Sequence, residues 1–81
     1  MHDKLFFLLD DWSQLCEEQN EITEAIAKLV GLPNAAIVLM TSYKDAIERE
    51  IELWQKLSPH FGSRQNAALA FAAEVEKRNK E

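Results

Sequence analysis

Residues 5–30 read LFFLLDDWSQLCEEQNEITEAIAKLV, and the spacing of their apolar side chains decides the fold. With Leu5 at position a of a heptad, the a sites are Leu5, Trp12, Gln19 and Ile26, and the d sites are Leu8, Leu15, Ile22 and Leu29. Seven of these eight are apolar, the repeat that keeps one stripe of a helix turned toward a partner. Leu9, Cys16, Thr23 and Val30 at e widen the stripe, whereas the f sites Asp3, Asp10, Glu17 and Glu24 are all acidic. A wide apolar face with a charged back suits a helix in a compact bundle better than one strand of a thin coiled coil.

Working outward, the pattern predicts helix 1 over about 3–30, with Gly31 closing it in a left-handed cap and Pro33 preventing continuation. Asn34 then caps helix 2, over about 35–57, and so short a connection forces the two helices antiparallel. The run Ala35–Met40 is β-friendly, and Ser42-x-x-Asp45 offers a later capping box. A lone strand has no pairing partner, so the run reads as helical. Ser58-Pro59-His60-Phe61-Gly62-Ser63 is the second break, with Ser63 capping a shorter, alanine-rich helix 3 over about 64–79. The fold class is therefore all-α: an antiparallel hairpin of two long helices plus a shorter C-terminal helix, in one domain over 1–81.

The apolar side chains of helix 2 fan across about 200° at 100° per residue, more than one neighbouring helix covers. With the turn centred near Leu32, residue i of helix 1 faces roughly residue 65 − i of helix 2, which sets Trp12 level with Leu53 and Trp54. Helix 3 starts at the open end of the hairpin, where it covers Phe6 and Phe7. It is about 24 Å long against about 36–42 Å for its neighbours and cannot reach the turn. Val30, Leu32, Val38 and Leu39 are left short of cover, and large uncovered apolar patches mark interfaces. A two-fold homodimer through these four is expected, with Phe6, Phe7 and Phe61 as a second candidate surface if helix 3 leaves them open. Two polar residues interrupt the apolar faces. Gln19 at an a site reads as a register-setting residue, and Glu50 as a stripe-edge residue with its carboxylate in water.

Composition excludes several functions. A net charge of −5 is the wrong sign for nucleic acid, which needs a clustered basic face. Lys77, Arg78 and Lys80 are interleaved with Glu76 and Glu81 and read as a helix end that complements its dipole. The polar face of helix 1 is acidic, which anionic lipid repels. Leu5–Leu9 is too short to span a membrane and lacks the flanks of a signal peptide. A single cysteine excludes an internal disulfide and fits a reducing, cytoplasmic setting. No glycine-rich phosphate loop or nucleophilic triad is present, and His2 and His60 lie far apart in sequence with no ligand at metal spacing. The expected protein is a small acidic interaction, adaptor or regulatory module, non-catalytic and without a cofactor.

One stretch points elsewhere. Glu17-Glu18-Gln19-Asn20-Glu21-Ile22-Thr23-Glu24-Ala25-Ile26 resembles the first acidic motif of MazG-type nucleotide pyrophosphohydrolases. That resemblance implies a helical enzyme, active or degenerate, holding Mg²⁺ through an ExxE pair on one helix and an ExxD pair on the next. By it, Glu18 and Glu21 form the first pair. Ser42 and Asp45 stand at the second, so one carboxylate is missing, and Asn20 stands where the family usually has Gly.

Overall fold

The heptad stripe forms a long helix, as the spacing predicts. A computed structural model describes residues 1–80 as α1 (Asp3–Ala27), α2 (Pro33–Phe61) and α3 (Arg64–Asn79). The architecture is the expected all-α antiparallel hairpin with a short third helix, and no strand occurs among the described residues. Residues 35–40 are helical throughout. The predicted register holds: Trp12 meets Trp54, Gln19 meets Ala46 and Glu18 meets Arg49, each within two residues of the 65 − i rule.

Three boundaries differ from expectation, each for a local reason. Helix α1 ends at Ala27, because the next turn tightens into i→i−3 bonds, Leu29 N–H to Ile26 and Leu32 N–H to Leu29. Gly31 follows with φ of 89°, the left-handed conformation expected of it. Helix α2 begins at Pro33, with Leu32 at the N-cap and Asn34 already inside. Proline at the first helical position loses nothing by lacking an N–H and arrives with helical φ. At the far end α2 runs through Pro59 to Phe61, one turn past the expected stop at Leu57. Leu57 and Phe61 lie on the same face and both join the core, which offsets the proline, and Gly62 at φ 79° ends the helix with its N–H on the Ser58 carbonyl. Ser63 caps α3 as predicted, its hydroxyl accepting from the Asn66 N–H at 3.1 Å.

The core is built at the open end. Leu9, Trp12, Leu57 and Ala67 are buried together, with Leu5, Leu8, Cys16, Leu53, Trp54, Phe61 and Phe71 packed around them. Small residues on α3, Ala67 above all, let it seat closely on the hairpin. At mid-helix Phe71 stacks on Phe6 at 5.6 Å, and near the end of α3 the Arg78 guanidinium lies 4.0 Å over the Phe6 ring while reaching Asp3 at 2.9 Å. Arg78 thus ties α3 to the start of α1. Phe7 is not covered by α3 and stays exposed, contrary to expectation.

Candidate functional site

Two features of the molecule bear on function: a polar knot in the core and an apolar surface near the turn. The knot is built by all three helices. Trp12 on α1 points across the hairpin because it sits at an a site, and its indole Nε1 donates to Glu50 Oε1 at 3.2 Å. Glu50 shares a face of α2 with Ala46 and Leu57, so it is carried into the interior, only 6% exposed. This corrects the reading of Glu50 as a stripe-edge carboxylate in water. Its counter-ion comes from the first residue of α3: Arg64 Nε and Nη2 donate to Oε1 and Oε2 at 2.7 and 3.3 Å. The guanidinium also lies 5.1 Å over the Trp54 ring, and Trp54 meets Trp12 at 5.7 Å. Burial pushes the Glu50 carboxyl upward, but hydrogen bonds from Arg64 and Trp12 and the Arg64 charge outweigh it and hold the group below its ordinary range.

Cys16 lies beside this knot, half-buried. Burial and the Glu50 charge push its thiol upward, against the smaller opposing effect of Arg64, which makes it a weak nucleophile. Every buried side-chain nitrogen and oxygen among the described residues has a partner. The knot is closed, with no lone pair aimed at a ligand, and its chemistry is that of a three-helix fastener. Gln19 plays a similar part farther along, its amide donating to the Ala46 carbonyl at 3.4 Å.

The carboxylates of the acidic motif do not converge. Arg49 sits between Glu18 and Asp45, with Nη2 3.0 Å from Glu18 and Nε 3.1 Å from Asp45, and Glu21 is exposed on α1. No three His, Cys, Asp or Glu side chains come together in a metal-binding arrangement among the described residues. The residues present do not fit a Mg²⁺ site, which needs clustered oxygen donors and not an intervening cation. His2 and His60, far apart in sequence, line the same open hollow of about 360 Å³ at the hairpin's open end, with Lys4, Leu5 and Leu8. There His2 Nδ1 accepts the Lys4 N–H as the cap of α1, so its lone pair serves the backbone.

The apolar surface is the larger feature. Toward the turn the described residues include no third helix, and Ala46 alone of them is buried there. Val30 is 89% exposed, and Leu32 and Val38 are also more than half exposed. Leu39 is half-buried, because it stands on the α2 face of Ala46, Glu50 and Leu57 that packs on α1. Of the second trio, Phe6 and Phe61 are partly buried in the core region and Phe7 is open. The heptad reading missed Ile37 and Met40, 60% and 57% exposed, although the 200° apolar fan of α2 already required more cover than α1 provides.

No protein-family model matches the chain, and no curated protein or solved structure is detectably similar to it.

Proposed function

We propose that this chain is a small acidic, non-catalytic interaction protein of the adaptor or regulatory kind, working in a reducing cytoplasmic setting and binding through helix–helix contacts at the turn half of its hairpin. One observation carries the reading: α3 covers only the open half, leaving Val30, Leu32, Val38, Ile37 and Met40 more than half in water. Exposed apolar area of this kind is stabilised by burial at roughly 25 cal/mol per Å². An α2 helix with unfilled apolar flank is the kind of surface that helix-in-groove recognition uses. The closed polar knot, with every buried polar atom satisfied, fits a scaffold better than a reaction centre.

Self-association is the simplest form of this interaction. Size-exclusion chromatography with light scattering tests it on the wild type beside Ile37→Glu/Met40→Glu, two exposed residues of the uncovered α2 flank. A concentration-dependent wild-type dimer that the double variant splits is the expected result. A wild type that stays monomeric up to millimolar concentration overturns the self-association. Leu39→Glu is a poor probe, because that half-buried side chain serves the α1–α2 seam as well.

A further inference from the structure

The apolar flank of α2 is a second heptad seam, distinct from the one that packs on α1. Ile37, Met40, Lys44, Ile47, Ile51 and Trp54 recur at alternating spacings of three and four. At 100° per residue they form a stripe rotated by about 110° from the Leu39–Tyr43–Ala46–Glu50–Leu57 face. At Trp54 this seam is covered by α3, whose Arg64 lies over the indole. From Ile51 back to Ile37, about 21 Å of helix, Ile37, Met40 and Ile51 are exposed and Ile47 is half-buried.

We propose that a second copy of this chain docks on this seam, α2 against α2, antiparallel across a two-fold axis near residues 45 and 46. The inference rests on the self-association reading above and names its surface and register. Charge selects the occupant and the direction. Lys44 is the one polar residue between Ile37 and Ile51 in the seam, and neither it nor the adjacent Glu48 makes an ion pair among the described residues. A parallel pairing sets Lys44 against Lys44 of the partner subunit, two like charges at one layer. An antiparallel pairing sets Lys44 on the partner's Ile47 and Met40 on the partner's Ile51. The Lys44 ammonium then reaches the partner's Glu48, and symmetry makes the same pair twice. A polar residue in such a seam fixes register at some expense of affinity. The outer face of α1 is mostly acidic, with Asp3, Asp10, Glu17, Glu21 and Glu24 against Lys28, and like charge disfavours a second copy there.

The test is a charge swap read by sedimentation velocity over a thousandfold concentration range, with circular dichroism confirming that each variant folds. Lys44→Glu, exposed and unpaired in the single chain, faces the partner's Glu48 with like charge and raises the dissociation constant by about 10–100-fold. Lys44→Glu/Glu48→Lys restores the opposite-charge pair and recovers wild-type association. A wild-type dimer indifferent to Lys44→Glu overturns this seam while leaving self-association standing. A dimer lost in the single variant and not regained in the double overturns the antiparallel register. A wild type monomeric throughout overturns both the seam and the reading it rests on.

Discussion

At the scale of the residue, the molecule turns on Glu50 and Arg64. A buried carboxylate is costly unless paired, and here the cation comes from fourteen residues away at the start of another helix. The apolar pattern of α2 shows where Glu50 lies on its helix, but not that α3 delivers a guanidinium to it, so the pattern alone places its carboxylate in water. Trp12 was legible as core, yet its role as a donor depends on the same unforeseen partner. Because the folded carboxyl is held below its usual range, its stabilising effect is fully present above the ordinary carboxylate range and is lost as pH falls from that range through the depressed value. Arg64→Met keeps a stem over Trp54 and removes the charge. Since Arg64 is 52% exposed, solvent screening keeps the neutral-pH loss to about 1 kcal/mol. Left with burial and one indole, Glu50 then rises above its usual range, and acidification from pH 7 toward 5 narrows the gap to the wild type. Melting temperatures of both proteins between pH 3 and 7 check this; parallel profiles would detach the pH dependence from Glu50. Cys16, raised by burial and by the Glu50 charge, should alkylate with iodoacetamide at pH 7.5 more than tenfold more slowly in the folded protein than in urea, as mass spectrometry over time will show.

At the scale of the element, proline placement separates what was legible from what was not. Helix periodicity, the left-handed turn at Gly31, the Ser63 cap and the pairing register could all be read directly, because each depends on neighbours in sequence or on simple geometry. The ends of α2 could not. Pro33 reads equally well as a turn residue or as a first helical residue, and the latter prevails because its fixed φ extends a helix already packed on α1. Pro59 reads as a stop, and the helix passes through it because Phe61 gains the core one turn later. That proline leaves the Gln55 carbonyl without its helical N–H. Pro59→Ala restores the bond and removes the ring clash, a gain of about 3 kcal/mol in a helix interior. The looser unfolded chain returns about 1 kcal/mol, and position in the last turn reduces the gain further. A net stabilisation of about 1–2 kcal/mol should appear as a melting temperature higher by about 5–15 °C. A lower one would mean that Pro59 sets the approach of the chain to Gly62.

At the scale of the whole molecule, the division into a covered and an uncovered half governs stability as well as binding. Among the described residues, Leu9, Trp12, Glu50, Leu57 and Ala67 are buried at the end that α3 covers, and Ala46 is the one buried at the other end. A helix held on one side only has little tertiary packing to resist opening. Amides in α1 beyond Gln19 and in α2 before Ala46 should therefore exchange hydrogen through openings at least about 2 kcal/mol cheaper than the global transition. Those around Trp12 and Leu57 should exchange only with global unfolding. A second copy seated on the Ile37–Ile51 seam covers the weak half and not the strong one, so raising the protein concentration should slow exchange there selectively. Mass-resolved exchange at 5 µM and 500 µM separates the alternatives. Protection that is uniform along the hairpin and indifferent to concentration would mean that both halves open as one unit, held together by α1 and α2 alone.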